Sequence, residues 1–285
     1  MDEAPKFQLQ AAIWLAALEL TGASQTLEVV LHCVGEASQE LHRLCERHGA
    51  TLRPIPRFGE GPSAYCNKLN QLGPLLAMPG DGYLLSDTDL IFLSNPGIDY
   101  SHRAIRAKVV DRENPPWSQV LKILERAGLE APQTHSVPDF EPEGHTLPTN
   151  CNGGLYLLPR PLLQRIAPAW RRWSTFCLEQ GDVLLDKVLH SDQLGFALAT
   201  LELEAPFQAL TYQANYPLHQ PWPDGQAAEP IRALHYHHLL GPDLRLRSEE
   251  TEPAVRAAVT TANQLLAELA EDPDIRSLAL RVADE

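Results

Sequence analysis

The sequence predicts an α/β fold in which a mixed, mostly parallel sheet carries helices on both faces. Short apolar runs alternate with amphipathic segments along the first half of the chain, which is the element pattern of such folds. The run at 83–85 has no polar alternation, as is typical of a strand buried on both faces. With 285 residues, of which 44% are hydrophobic and 21% charged, the chain is long enough to bury a sizeable core.

The first elements can be read in order. Phe7 to Leu20 is an apolar-rich helix that ends near Gly22. Leu27 to Val34 is a buried strand. Ser38 caps the next helix, SQELHRLCERHG, whose apolar residues repeat at helical spacing.

The next segments lead to the central strand. Residues 51–55 form a short strand that ends between two prolines. Pro62 is well placed to open a helix that runs through Lys68 to Leu72. The apolar run at 83–85 then supplies the strand that we place at the centre of the sheet.

The second half continues the alternation after one irregular region. We expect strands at 104–110, 150–159 and 231–238, and helices at 117–127, 160–180, 192–201 and 252–282. Ser191 is expected to cap its helix, and Pro273 to split the last one in two. The loop 130–148 is rich in Pro, His and acidic residues, and a long irregular segment in a compact domain is usually functional or mobile.

Charge and cysteine content exclude several classes of protein. The formal net charge of −14 is the opposite of a nucleic-acid-binding footprint, so no nucleic-acid partner is expected. An acidic protein that binds a diphosphate needs a local cation, which points to a metal. The five cysteines are odd in number and include no C-x-x-C pair, which indicates reduced thiols and a cytoplasmic protein. We find no secretory signal and no apolar run near the ~18 residues of a membrane span.

Two carboxylates follow the central strand. Asp87 and Asp89 come directly after the apolar run, and residues two apart on an extended backbone point to the same side. Ligands of open α/β sheets bind at the carboxyl edge of the strands, and carboxylate oxygens suit Mg²⁺ or Mn²⁺. The pattern indicates a divalent metal site. A solvated turn is the alternative, because Asp-x-Asp is common by chance.

Four further sequence features are candidates for the same site as the two carboxylates. Lys68 could neutralise a diphosphate or be simply solvated. The run 152–154, Asn-Gly-Gly, suits sugar hydroxyls or forms a bulge. Asp192 and Gln193 begin a helix, whose amino end would either attract an anion or be capped by Asp192 itself. His235 and His237 share one face of a strand, with His238 opposite, and one of the two would complete a three-ligand metal site or both would be structural.

The helix at 160–180 offers a possible membrane contact. Arg165, Arg171 and Arg172 lie close in sequence to Trp170 and Trp173. This combination could seat a membrane-associated acceptor through peripheral contact. A core-facing helix with a solvated arginine face is the alternative, and the general pattern of helices favours it.

Five ordered segments resemble the glycogenin-like, family 8 retaining glycosyltransferases of the GT-A fold. The segments are Asn67-Lys68-Leu69, YLLSDTDLIFL, CNGGLYLL, SDQ and LHYHH. The resemblance implies a Rossmann-like GT-A domain over 1–250, with 251–285 as a C-terminal helical extension packed on it. It implies a metal-dependent hexosyltransferase-type enzyme that takes a nucleotide-diphosphate sugar, with a UDP-sugar favoured, as donor.

The same resemblance implies a role for each matching residue. Asp87 and Asp89 would hold Mn²⁺ or Mg²⁺ against the donor diphosphate, and His235 would complete the metal shell. Lys68 would touch the donor phosphate. The remaining residues would lie beside the donor sugar: Asn152, Gly153, Gly154, Asp192 and Gln193. Retention would need no base, whereas an inverting enzyme would need one, and Asp192 is then the first candidate.

The sequence departs from the family in two places. The family has a strand before its first helix, whereas little chain precedes Phe7 here, so that strand is either missing upstream or very short. After the late histidine the family tends to carry a Gly and a Lys-Pro-Trp segment. This chain has His-His-Leu-Leu-Gly-Pro at 237–242, so no phosphate contact is predicted there.

Paired carboxylates after a strand also occur in proteins with functions other than sugar transfer. A nucleotidyltransferase would be expected to carry a Gly-rich basic loop after its first strand, and the sequence has none. A haloacid-dehalogenase-like phosphatase has Asp-x-Asp on its first strand, which the position of Asp87 contradicts. A degenerate GT-A module that binds carbohydrate or a partner remains open. The acceptor is expected to be a saccharide, a lipid-linked molecule or a small molecule, bound against residues 99–149.

Overall fold

The structure, a computed structural model, describes residues 1–96, 103–141, 143–223 and 229–283. It confirms the α/β class, with helices and strands alternating along the chain. The described residues cluster into two compact units. Unit 1 comprises Met1–Ile55, Ser86–Gly97 and Thr211–Glu285, and unit 2 comprises Pro56–Leu85 and Ile98–Leu210.

The regular elements are numbered in chain order. The helices are α1 (Pro5–Leu20), α2 (Gln39–Arg47), α3 (Leu72–Leu76), α4 (Trp117–Ala127), α5 (Arg160–Leu178), α6 (Gly181–Leu184), α7 (Ser191–Glu202), α8 (Pro253–Leu269) and α9 (Pro273–Ala283). The strands are β1 (Val30–Cys33), β2 (Thr51–Pro54), β3 (Gly82–Ser86), β4 (Leu90–Phe92), β5 (Ile105–Val109), β6 (Cys151–Pro159), β7 (Phe207–Ala209), β8 (Tyr216–Pro217) and β9 (Ala233–His235).

Unit 1 contains two small sheets. In one, β1 and β2 run parallel, and Asp2 adds a parallel bridge to Val34, so a very short extended segment precedes α1. In the other, the strand order is β4-β9-β8, with β9 antiparallel to β4 and parallel to β8. The carboxyl ends of β8 and β9 therefore meet the amino end of β4 at one edge of this sheet.

The helices of unit 1 close over these sheets. Every residue of α1 from Gln8 to Leu18 is buried, as expected for a helix that is apolar on nearly all sides. It packs against β4, α2, α8 and α9. Ser38 caps α2 as predicted, because its hydroxyl accepts a hydrogen bond from the Leu41 amide at 3.3 Å.

Unit 2 is built on a four-stranded sheet in the order β3-β6-β5-β7. Strand β5 is antiparallel to β6 and parallel to β7. Helices α5 and α7 pack against β6 and against each other. Their close approach depends on Gly195, because a Cβ there would lie 2.3 Å from the Ser174 hydroxyl.

Several predicted elements differ from the observed ones. The segment from Pro62 is a 3-10 helix, Gly61–Gln71, that continues into α3, rather than one α-helix. The predicted strands at 27–34 and 231–238 shrink to β1 and β9. Strand β3 alternates buried and half-buried residues, so it is not buried on both faces. Ser191 is the first residue of α7 rather than its cap, and its hydroxyl donates to the Val188 carbonyl at 2.7 Å.

The tryptophans of α5 face the protein interior. Trp170 is 0% and Trp173 is 8% exposed. This burial supports the interpretation of a core-facing helix, and not that of a helix whose tryptophans contact a membrane. The neighbouring Arg172 pairs with Glu202. Within the described part of the chain, no helix combines the length and apolar character needed to cross a membrane.

The structure bears on two larger predicted regions, the C-terminal helical extension and the loop 130–148. The last helices α8 and α9 fall in unit 1 with the amino-terminal helices, and the domain boundary at residue 250 stays a prediction. Residues 130–148 contain no helix or strand where they are described, apart from a bridge between Ser136 and Thr146. Residues 99–102 and 142 of the expected acceptor region 99–149 lie outside the described residues.

The packing of α9 predicts a matched pair of effects on stability. Leu278 is 0% exposed on the face of α9 that meets α1 and α2, whereas Leu280 is 62% exposed. Leu278→Ala should lower the free energy of unfolding by about 2–5 kcal/mol, because it leaves a cavity. Leu280→Ala should change it by less than about 0.5 kcal/mol. Urea unfolding measures both, and equal effects of the two changes would contradict this packing.

Candidate functional site

Three predicted metal ligands lie together in unit 1. Asp87 and Asp89 occupy the loop between β3 and β4, and His235 is the last residue of β9. One ligand atom of each lies within 4.8 Å of the others. The sheet explains why these three side chains lie together, because β9 ends where β4 begins and Leu90 is paired with His235. The predicted position of the carboxylates at the end of a strand is confirmed.

Three hydrogen bonds hold this loop in place. The Trp14 indole donates to the Ser86 hydroxyl at 3.0 Å, and that hydroxyl donates to the Asp87 carbonyl at 2.8 Å. The Tyr236 amide donates to the Asp89 carbonyl at 3.1 Å. The loop is therefore fixed by α1 on one side and by the end of β9 on the other. Such support limits the reorganisation that a bound ion would require.

His235 and Asp89 interact directly. His235 Nε2 lies 3.2 Å from Asp89 Oδ1, with the histidine side chain 5% and the aspartate side chain 20% exposed. Burial acts to raise the pKa of Asp89, but the charge and hydrogen bond of His235, with His237 and a backbone hydrogen bond, outweigh it and lower the pKa to about 2. Asp89 is therefore ionised at neutral pH and is an acceptor for a cation.

His237 and His219 extend this cluster. His237 lies in the turn after β9, with φ of +52°, so it is not on the strand face predicted for it. Its ring nevertheless stacks on His235, with centroids 3.8 Å apart and planes at 16°. Burial, and then the charge of His235, lowers the pKa of His237 to about 3. His219, which the sequence did not single out, meets His237 edge-on with ring centroids 4.4 Å apart.

The residues fit a divalent cation. Two carboxylates and one imidazole offer oxygen and nitrogen ligands of the kinds that Mn²⁺ and Mg²⁺ sites use. Their three ligand atoms already converge, and among the described residues they form the one such group found. Asp87, Asp89 and His235 could therefore hold a divalent metal ion at this edge of the sheet.

A second cluster lies in unit 2 and contains the other predicted residues. Lys68 Nζ lies 3.2 Å from Asp192 Oδ2 and donates to the Gly153 carbonyl at 3.2 Å. A Cβ on Gly153 would lie 2.7 Å from Lys68 Nζ and 3.4 Å from Gln193 Nε2. The glycine is therefore needed for this approach. Lys68 is therefore not simply solvated.

Asn152 connects this cluster to a buried ion pair. Its amide group donates to Asp111 Oδ2 at 3.3 Å, and its carbonyl oxygen accepts from the Gly154 amide at 3.0 Å. Asp111 in turn pairs with Lys108, and both residues are less than a tenth exposed. The sequence did not single out this pair. The available signal was a lysine and an aspartate beside the apolar run of β5, where charges are rarely buried without a partner.

No family model matches this chain, and no curated protein sequence matches it. Among solved structures, mouse xyloside xylosyltransferase 1 in its apo form is similar at 17% identity, covering 81% of this chain and 93% of that one, with a TM-score of 0.40.

The glycosyltransferase GlyE of Streptococcus pneumoniae TIGR4 is also similar. One structure shows 12% identity over 94% of this chain and 62% of that chain, with a TM-score of 0.48. Its apo form shows 13% identity over 90% and 60%, with a TM-score of 0.45. This chain therefore spans about three fifths of GlyE. At TM-scores below 0.5, these similarities do not decide fold or function.

The Lys68–Asp192 pair predicts a non-additive double mutant. Lys68→Met leaves the buried Asp192 carboxylate without its cationic partner, which should lower the free energy of unfolding by about 3 kcal/mol. Adding Asp192→Asn removes that unpaired charge, so the double mutant should be more stable than Lys68→Met alone. Chemical unfolding of the wild type, both single mutants and the double mutant measures the coupling. A double mutant that is less stable than Lys68→Met would contradict the pairing.

Proposed function

We propose that this protein is a metal-dependent glycosyltransferase that moves a sugar from a nucleotide-diphosphate donor to an acceptor. The observation that carries the proposal is the convergence of Asp87, Asp89 and His235 at one edge of the β4-β9-β8 sheet. The resemblance of ordered sequence segments to the glycogenin-like, family 8 enzymes of the GT-A fold supports retention of configuration. It also favours a UDP-sugar as the donor.

The charge of the protein explains why the ion is required. The chain carries a formal charge of −14, and both carboxylates of the cluster add local negative potential. A nucleotide diphosphate without a metal would be repelled there. A divalent ion reverses the local sign and, when bound, acts as a Lewis acid that stabilises the leaving diphosphate. In this proposal Asp87, Asp89 and His235 hold the ion, and the buried contact between His235 and Asp89 keeps both side chains oriented.

The cluster of unit 2 is proposed to recognise the donor. Lys68 would touch donor phosphate, and its amine is already held by Asp192 and the Gly153 carbonyl. Asn152, whose side chain bridges Asp111 and the Gly154 amide, would bind sugar hydroxyls. We place Gln193 and Asp192 beside the reacting sugar. If the enzyme inverts, Asp192 is the candidate base.

Two other functions remain as alternatives. A degenerate GT-A module would keep the fold and bind a carbohydrate or a partner without turnover. A nucleotidyltransferase would use the same paired carboxylates but would release a pyrophosphate. Sugar transfer is distinguished from both by hydrolysis or transfer of a sugar from a nucleotide-diphosphate sugar in the presence of Mn²⁺.

Nucleotide binding should depend on the ion and on Asp89. UDP, GDP, CDP, ADP and dTDP are each tested with and without Mn²⁺, and at least one should raise the melting temperature only with the metal. A ligand at 100 times its Kd adds about 2.7 kcal/mol to the free energy of unfolding, which is on the order of several degrees for a chain of this size. Asp89→Asn should abolish the shift.

The control for this experiment is another acidic residue of unit 1. Asp243 pairs with Arg247 on the surface, with its side chain 45% exposed, so Asp243→Asn should keep the full shift. If no nucleotide shifts the melt of the wild type with Mn²⁺ or Mg²⁺, the transferase proposal is wrong. If Asp89→Asn keeps the shift, the metal is bound elsewhere.

The two stacked histidines should differ in metal binding. His235 lies within the group of converging ligand atoms, whereas His237 leaves the strand and hydrogen-bonds the His235 carbonyl. Titration of Mn²⁺ followed by electron paramagnetic resonance should show affinity lowered about tenfold or more by His235→Ala. His237→Ala should lower it much less. The opposite order would make His237 the ligand.

A further inference from the structure

Unit 2 contains a cleft that shares no residue with either candidate cluster. The cleft has a volume of about 590 Å³ and lies between α4 and α6, which pack against each other. This volume is within the range of about 300–1,000 Å³ that is typical of small-molecule sites. Helix α4 contributes one polar wall, whose side chains share a single helical face. They are Ser118, Gln119, Lys122, Glu125 and Arg126.

The charges around the cleft balance one another. Lys122 and Arg126 are cations, whereas Glu125 and, on the opposite wall, Asp182 are anions. Arg126 donates to both carboxylate oxygens of Asp182, at 2.8 and 2.7 Å, and this ion pair ties the two walls together. Because the formal charges of the lining cancel, the cleft favours a neutral ligand over a nucleotide or another highly charged molecule.

The wall opposite α4 is apolar apart from Asp182. It is formed by Val183, which is 8% exposed, and Leu185, which is 62% exposed. Leu185 has φ of +54° and ψ of −125°, a backbone conformation that is strained for a residue with a bulky side chain. Its exposed side chain gains little from burial to offset this strain. Backbone strain of this kind clusters at ligand-binding and active sites, which points to a ligand contact at this rim.

We infer that this cleft binds a neutral saccharide. A sugar ring combines an apolar C–H face, which suits Val183 and Leu185, with hydroxyl groups around its edge. Each hydroxyl both donates and accepts hydrogen bonds, so it can pair with a carboxylate such as Glu125 and with a cation such as Lys122. The site is additional to the proposed transfer reaction and does not depend on it. No chemical step is assigned to it.

The test measures saccharide binding in the absence of Mn²⁺ and of nucleotide. The probes are five neutral disaccharides, maltose, cellobiose, lactose, xylobiose and mannobiose, with digalacturonic acid as the charged comparison. Saturation-transfer NMR detects binding of each probe, and titration of the amide signals of the protein gives its Kd. At least one neutral disaccharide should bind the wild type, and the Asp89→Asn variant should bind it equally well.

Two variants change the two walls separately. Leu185→Gly removes the apolar rim and should weaken binding about fivefold or more. It should melt no lower than the wild type, because glycine adopts a positive φ without strain. The double variant Lys122→Met/Glu125→Gln removes one cation and one anion, both on exposed side chains, and leaves the formal charge of the lining at zero. It should weaken binding about tenfold or more, as expected for lost hydrogen bonds to charged groups.

Leu121 provides the matched control. It is a second exposed leucine of unit 2, 42% exposed on α4, and it does not line the cleft. Leu121→Ala should therefore change the Kd of the saccharide by less than about twofold.

The inference requires losses of affinity from both walls. If none of the five neutral disaccharides binds the wild type, or if digalacturonic acid binds more tightly than all of them, the inference is wrong. It is also wrong if either wall variant binds as the wild type does. Loss of binding in Asp89→Asn would place the sugar at the metal cluster instead. The proposed function is unaffected by these outcomes, because it is tested by nucleotides with Mn²⁺.

Discussion

The pairing of β9 with both β4 and β8 is the constraint on which the candidate metal site depends. Strand β9 is antiparallel to β4 and parallel to β8, so three chain segments that are far apart in sequence reach one edge. All three strands have only two or three residues, yet the ladder fixes Leu90 opposite His235 and Pro217 opposite His235. A shift of one residue would turn His235 to the other face and separate it from the carboxylates.

Both candidate clusters contain charged side chains that are largely buried. In each cluster, a buried carboxylate has a basic side chain as its partner. In unit 1 the His235 imidazole lies against Asp89, and a cation would balance the second carboxylate. In unit 2 the buried carboxylates of Asp111 and Asp192 are each matched by a lysine. Buried charges are costly unless paired, so such pairs are weak evidence for stability and stronger evidence for a functional arrangement.

The sequence predicted the elements that have local signals. Helix α2 begins at a capping serine, α4 follows a periodic apolar pattern, and α8 and α9 are separated by a proline, all as expected. Asp87 and Asp89 were found because they follow an apolar run, and His235 because the segment LHYHH resembles the late-histidine segment of the family. These features are encoded within a few residues of the chain.

The remaining features depend on tertiary contacts that leave no local pattern. Strand β8 has two residues, one of them proline, so nothing in the sequence indicated that His219 reaches the site. The face shared by His235 and His237 was predicted from strand alternation, whereas the structure ends the strand at His235 and achieves the stacking through a left-handed turn. Asp111 and Lys108 were missed because a single buried pair gives no periodicity.

Anomalous diffraction at the manganese edge tests the central claim most directly. Crystals of the protein grown or soaked with Mn²⁺ and the best-binding nucleoside diphosphate give the position of the ion without reference to any sequence comparison. The account predicts one strong peak bound by a carboxylate oxygen of Asp87, one of Asp89 and a ring nitrogen of His235, with diphosphate oxygens completing the shell. A nucleotide bound with no manganese at these three residues would contradict it.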